Sequence, residues 1–394
     1  MSQTPGKNPY RPGVGTRPLY LAGRDQSLRR FRAVIRSAPE LPANVRLTGL
    51  RGVGKTVLLG EFGAAARELN WATTQLELLP GQSTDSGILS ALADGLRATR
   101  EEISRIERLK RVVGSAARRA GTLGISWGEF SVTYQPGTAD GQEALPKALF
   151  ETADTAVTHG WGGLILLLDE AQVIRDETRA TGQHPLSTLI ASVSALQRAE
   201  LPVGLVLCGL PTLTGNLLHA RSYTERMFRG ESIDSLSPAD AREAFLRPLG
   251  ETPVDVEDGL AEQVVEEVEG YPYFVQLWGA ELWDAATAAG TSMFSTPLLD
   301  ETRTEIFRRL DFDFYEPRVS TLTPAEQDVL LATAECSYPP LVVADLNEAV
   351  SKTPGNINVL LGRLVESGVL YRVRKGRYEY TAPKFRDYLV RRTT

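Results

Sequence analysis

Gly49-Leu50-Arg51-Gly52-Val53-Gly54-Lys55-Thr56 meets every defined position of the spacing G-x-x-x-x-G-K-[ST]. Glycines allow successive backbone N–H groups, those of Leu50, Arg51 and Val53 included, to turn inward as an anion nest. A helix that starts directly behind them adds its positive end. Lys55 has the reach to meet β- and γ-phosphates, and Thr56 offers a hydroxyl to magnesium. The motif requires a strand before it and a helix after it. Asn44 to Thr48 is a short β-prone run. From Lys55 through Val57 to Leu69, the residues Leu58, Phe62, Ala65 and Leu69 recur at helical spacing.

Working outward, Leu164 to Leu168 is wholly apolar and ends in Asp169-Glu170. Such a run suits a strand buried on both faces of a parallel sheet. It would deliver two carboxylates to the sheet edge where ligands bind in open α/β folds. Asp169 is the expected magnesium ligand and Glu170 the group that orients and polarises an attacking water. Further strands are predicted over Ala72 to Leu79 and Val203 to Cys208. Helices are predicted over Ser86 to Ala98, Glu101 to Arg119, Ala144 to His159 and Leu186 to Ala199. Alternation of this kind calls for a three-layer α/β fold with a parallel sheet. Gly124 to Tyr134 alternates polar and apolar residues, with Trp127 and Phe130 among them. It reads as a hairpin that either reaches a partner or packs as an ordinary element.

Composition narrows the class. The 394 residues are 42% apolar, enough for two or three domains with a sizeable core. The two cysteines, Cys208 and Cys336, exclude a disulfide framework, so a reducing cytoplasm is the expected setting. His159, His184 and His219 are scattered without metal-ligand spacing. No stretch approaches the roughly 18 to 20 apolar residues of a membrane span, and no membrane partner is expected.

After Leu236 the pattern turns helical, over Pro238 to Arg247, Asp258 to Glu269, Pro272 to Ala288 and Leu298 to Arg309. Glu251 to Glu301 contains twelve acidic residues and no Lys or Arg. Thr323-Pro324-Ala325-Glu326 carries the capping chemistry of a helix start. A second helix is expected over Leu341 to Ser351. A third runs from Thr353-Pro354 to Ser367, with Val359, Leu360, Leu364 and Val365 facing inward. Val369 to Arg374 and Arg377 to Thr381 alternate like paired strands. Lys352 to Thr394 holds ten Lys or Arg against three acids, a basic block suited to an anionic partner.

The layout resembles AAA+ ATPases over nearly the whole chain, especially the replication-initiator (origin-recognition) clan and the related STAND signalling ATPases. Pro18-Leu19-Tyr20-Leu21-Ala22-Gly23-Arg24-Asp25 is similar to the N-terminal box of those families, which implies that Leu21, Gly23 and Arg24 lie beside adenine and that the nucleotide is ATP. Gly209-Leu210-Pro211-Thr212 stands where such proteins carry a γ-phosphate sensor, which implies Thr212, with Cys208 second. Tyr223 to Arg229 resembles the segment bearing the arginine finger. The resemblance points to Arg226, then Arg229, and implies a nucleotide-dependent homo-oligomer. Gly270-Tyr271-Pro272 resembles a motif in which the proline touches the nucleotide. The chain departs from the AAA+ pattern where a lid arginine is expected, because no cation occurs between Glu251 and Glu301.

The expected architecture is a P-loop NTPase core over 1–236, a helical lid over 237–310 and a winged-helix domain over 311–394. The expected activity is slow Mg2+-dependent ATP hydrolysis that works as a switch. In a winged helix, Asn356, Asn358 and Arg363 would lie on the helix that enters a DNA groove. Arg372, Arg374, Lys375 and Arg377 would crowd the wing. Double-stranded DNA bound through 354–381 is one partner the resemblance implies. A signalling or scaffold ATPase whose winged helix docks a protein is the other.

Overall fold

The computed structural model describes residues 6–13, 15–114, 144–177, 182–220, 224–350 and 353–393. The Gly124 to Tyr134 hairpin, Tyr223 and the end of the helix expected to reach Arg119 lie outside them. The described chain forms two compact units. One comprises Asp25–Gly49 and Leu58–Ser232; the other comprises Met1–Arg24, Leu50–Val57 and Ile233–Thr394.

The first unit is built on α1 (Asp25–Arg36), β1 (Ala43–Thr48), α2 (Lys55–Glu68), β2 (Trp71–Glu77), α3 (Asp85–Gly114), α4 (Ala144–Thr158), β3 (Gly163–Asp169), α5 (Pro185–Arg198), β4 (Val203–Gly209), α6 (Thr212–Ala220), α7 (Thr224–Met227) and β5 (Arg229–Ser232). Its five strands are parallel in the order β2-β3-β4-β1-β5. Alternation along β3 sorts the layers. Leu164, Leu166 and Leu168 join Leu92 of α3, Leu149 of α4 and Leu189 of α5 in one apolar cluster. Leu167 points to the opposite face, where a Cβ on Gly63 of α2 would lie 3.0 Å from it. On that side Phe31 of α1 stacks on Phe62 of α2 at 4.2 Å. Each such leucine contributes about 1.5–3 kcal/mol by leaving water.

Two differences from the sequence reading have local causes. The helices expected on either side of residue 100 are one helix, α3. Thr99 bonds the Gly95 carbonyl at 3.0 Å and the Thr74 hydroxyl at 2.7 Å, while Arg100 donates to Thr152 at 2.7 Å. Tertiary contacts thus carry the helix through the polar junction. β5 was not anticipated, because Arg229-Gly230-Glu231-Ser232 buries only Glu231.

The second unit continues with α8 (Pro238–Leu246), β6 (Asp255–Val256), α9 (Leu260–Val268), α10 (Pro272–Ala289), β7 (Met293–Phe294) and α11 (Thr296–Arg309). α10 is buried on most of its surface, with Phe274, Trp278 and Leu282 fully inside. Tyr10 packs on Gly279, where any Cβ would come within 2.4 Å of its ring. Its hydroxyl donates to the Phe245 carbonyl at 2.5 Å. A π-helical stretch, Leu310–Tyr315, leads into α12 (Glu316–Ser320). Then follow α13 (Pro324–Ala332), β8 (Leu341–Val342), α14 (Val343–Ala349), α15 (Pro354–Glu366), β9 (Leu370–Arg374), β10 (Arg377–Tyr380) and α16 (Phe385–Thr393). The last three strands form a sheet in the order β8-β10-β9. Thr323 and Glu326 make the expected capping box on α13.

The helix expected from Leu341 starts at Val343, because Val342 first pairs with Arg377. On α15, Leu360, Leu361 and Leu364 are buried, but Val359 is 56% exposed, contrary to the inward reading. Among the described residues no helix is long and apolar enough to cross a membrane.

Candidate nucleotide site

In the parallel sheet β1 and β3 run the same way with β4 between them. Their carboxyl ends, Thr48 and Asp169, therefore share one sheet edge, and the loop beginning at Gly49 leaves from that edge. Gly49 donates to the Gly209 carbonyl at 3.3 Å.

Asp169 is 5% exposed, and its Oδ1 accepts the Glu170 amide at 2.8 Å. Glu170 sits at φ +52°, a left-handed backbone that L residues seldom adopt. Strain of this kind gathers where a side chain must be aimed. Gln172 does the aiming. Its Nε2 donates to Glu170 Oε2, and its Oε1 accepts the Leu210 amide at 2.9 Å. Gly209 is required beside it, since a Cβ there would lie 2.3 Å from Gln172 Oε1. Asn216 steadies the Gln172 backbone, donating to its carbonyl at 3.0 Å. The sequence reading missed Gln172. Its only signal was a polar side chain two residues past the acids.

The loop itself has two glycines in left-handed conformation, Gly52 at φ +80° and Gly54 at φ +91°. A Cβ on Gly54 would meet nothing within 4 Å, so its outer side is open. Gly52 is crowded, because a Cβ there would lie 2.0 Å from the Tyr271 hydroxyl. Tyr271 donates to the Arg51 carbonyl at 2.5 Å. Burial raises its pKa, so it remains a donor. Lys55 is 6% exposed and its amine donates to the Leu50 carbonyl at 2.8 Å, closing the loop. Val53 is buried, Leu50, Arg51 and Val57 are half-buried, and Thr56 is exposed.

Arg24 braces this loop. Its guanidinium donates to the Val53 carbonyl at 3.0 Å and to the Asp234 carbonyl at 2.8 Å. Burial lowers its pKa, opposed by Asp240 and Asp234. Gly23, at φ +66°, lies beside the Asp240 carboxylate, and Leu21 is half-buried. Pro272 opens α10, but the neighbour that touches the loop is Tyr271.

Thr212 is exposed at the start of α6, and among the described residues it makes no hydrogen bond. Cys208 is fully buried in β4. The polar group that reaches Glu170 from this end of the sheet is Gln172. Arg226 is exposed on α7 with no ion pair among the described residues, and Arg229 is exposed at the start of β5. No group of three or more His, Cys, Asp or Glu among the described residues could hold a metal ion.

At the other end of the chain, Arg372, Arg374 and Lys375 are exposed and Arg377 half-buried. Asn356 and Asn358 are exposed, although the Asn358 amide donates to the Pro354 carbonyl of its own helix at 2.9 Å. Arg363 pairs loosely with Glu326 at 3.8 Å.

The family model described as "Domain of unknown function (DUF8462)" matches residues 313–389. A comparison with curated protein sequences finds no match. Among solved structures, the Walker-type ATPase paby2304 of Pyrococcus abyssi is 16% identical, with 96% of this chain and 98% of that one covered and a TM-score of 0.61. The Aeropyrum pernix ORC2 protein in its ADPNP–ADP complexes is 13% identical, with 97% of each chain covered and a TM-score of 0.55. Its ADP form is 14% identical over 97% of each chain, with a TM-score of 0.51. At these identities the likeness is one of fold: the chain shares its architecture with the Walker-type ATPase paby2304 and with the ORC2 protein.

Proposed function

We propose that the chain binds Mg2+·ATP at Gly49 to Val57 and hydrolyses it slowly, as a switch that governs self-association and DNA binding. The observation that carries this reading is the loop: two left-handed glycines, one open to the outside, and a buried Lys55 directly behind them. Leu21, Gly23 and Arg24 would flank the adenine, and Pro272 the nucleotide's far side. A magnesium ion held by the Thr56 hydroxyl and the Asp169 carboxylate would neutralise phosphate charge. Glu170, fixed by Gln172, would orient and polarise a water. Thr212 and Arg226 are proposed as sensor and finger, the latter acting across a boundary between copies. That ORC2 was solved with ADPNP and ADP supports an adenine nucleotide.

The same reading divides the chain into a core over 1–236, a lid over 237–310 and a winged helix over 311–394, in a cytoplasmic protein. The exposed wing arginines favour DNA phosphates as the partner. The small, uncharged exposed face of α15, Gly355, Asn358, Val359 and Gly362, keeps a protein partner as the second reading. Phosphate release and light scattering with and without ATP test the proposal. A chain with Glu170→Gln should gather into a larger species with ATP, and a monomer under all conditions would sink the self-association.

A further inference from the structure

Arg24 is not alone among the residues ahead of α1 in touching the phosphate loop. Earlier in the chain, Gly15 lies against Thr56, where a Cβ would come within 3.4 Å of the Thr56 methyl carbon. Arg24 meets the same loop at the Val53 carbonyl. One stretch of chain, 15–24, therefore spans the loop from Val53 to Thr56, with Gly54 and Lys55 between its two contacts. This stretch, the loop and the helices from α8 onward belong to one compact unit.

The chain just ahead of Gly15 is tied to α10. Tyr10 is buried, with its ring on Gly279 and stacked on Phe245 at 5.9 Å. The Asn8 amide donates to the Ala280 carbonyl at 3.2 Å and to the Asp284 carboxylate at 3.0 Å. The Arg11 backbone N–H donates to Gln276 Oε1 at 3.0 Å. Gln276, Ala280 and Asp284 are four residues apart, so the contacts follow one stripe of the helix. Beyond them the character of the chain changes. Every described residue from Arg11 to Arg17 is exposed. Gly15 turns at φ +68°, a backbone that glycine adopts without strain. A span with so little buried surface opens at low cost, whereas burial of Tyr10 holds its leading end in place.

We infer that residues 8–17 form a strap over the Thr56 side of the nucleotide site, latched to α10, and that the strap must lift for Mg·nucleotide to enter or leave. This rests on the nucleotide reading above, in which Thr56 holds the magnesium ion. The latch then sets how long the chain keeps its nucleotide. An opening step required in both directions slows entry and release alike and leaves the affinity where it was.

The test follows entry and release of Mg2+ and methylanthraniloyl-labelled ATP on the full chain by stopped flow. In the double variant Asn8→Cys, Asp284→Cys, a short cleavable bis-maleimide fixes the latch. Cys208 and Cys336 are buried and stay out of the reaction. Fixing should slow both rates by ~10-fold or more, hold Kd within about threefold, and be reversed on cleaving the linker. Asn8→Ala with Gln276→Ala loosens the latch and should speed both rates by about fivefold, the scale of one lost hydrogen bond. Rates unchanged by the cross-link overturn the inference while leaving nucleotide binding intact. Slower release alone, with tighter affinity, also overturns it, because the strap then adds contacts and gates nothing. So does a loosened variant that loses affinity and unfolds at a lower temperature, which marks residues 8–11 as a support of α10 only. A wild-type chain that binds no labelled ATP overturns the nucleotide reading, and the strap with it.

Discussion

The Tyr271 hydroxyl donates to the Arg51 carbonyl across 220 positions of sequence, and it occupies the space a side chain on Gly52 would need. Gly52 therefore serves two ends: it turns the loop at positive φ, and it admits Tyr271. Gly52→Ala meets both a left-handed strain and a collision with a buried ring. It should lower stability by about 2 kcal/mol or more. Tyr271→Phe removes only the hydrogen bond and should cost about 1 kcal/mol. Urea unfolding of the two variants distinguishes them, and equal losses would mean that the contact, not the conformation, dominates.

Gln172 is the residue through which the sheet holds Glu170. Gln172→Ala should leave ATP affinity within about twofold and lower hydrolysis by on the order of tenfold, since the carboxylate keeps its chemistry but loses its orientation. Glu170→Gln should cut hydrolysis by ~100-fold or more while still binding ATP. Lys55→Ala should weaken binding itself. Phosphate release at saturating ATP, read beside nucleotide affinity, separates the three. Wild-type turnover in Glu170→Gln would remove Glu170 from the chemistry.

What was legible follows from burial. β3 and β4 are wholly buried, so their apolar runs announce strands, and the acids at the end of β3 could be read as an edge. The turn at Gly49 to Thr56 between β1 and α2 was legible because Gly52 and Gly54 take the left-handed backbone that glycine permits. β5 was not, since an edge strand with Arg229, Gly230 and Glu231 has no apolar signal. Val359 continues the helical spacing of α15 yet faces out, because periodicity gives the spread of an apolar face and not where its border falls. Tyr271 and Gln172 act through contacts over long sequence separations or through side-chain direction. Neither leaves a spacing to read.

Arg24 is 8% exposed and spans two backbone carbonyls, those of Val53 and Asp234. Arg24→Ala would strand both acceptors. A loss of about 2–3 kcal/mol is expected, on the scale of hydrogen bonds from a charged donor. Arg24→Lys should recover less than half, because an ammonium cannot span both carbonyls with one planar fork. Thermal unfolding without nucleotide is the check. A neutral Arg24→Ala would assign the residue to the nucleotide alone.

The exposed wing makes the partner question one of salt. Arg372, Arg374 and Lys375 stand free in solvent around the turn at Gly376. If they contact DNA phosphates, affinity should fall steeply with salt, by about 0.9 log units per log unit of salt for each phosphate neutralised. Arg374→Ala with Lys375→Ala should flatten that slope by about 2. α15 provides an independent lever. A Cβ on Gly362 meets nothing within 4 Å, so Gly362→Glu fits the free protein, and replacing a helical glycine favours folding by about 0.5–1 kcal/mol. Against a duplex the same carboxylate would face phosphates at close range. Gly362→Glu should therefore keep or raise the unfolding temperature while abolishing DNA binding. A flat salt dependence in the wild-type chain, or full DNA binding by Gly362→Glu, would move α15 and the wing to a protein partner.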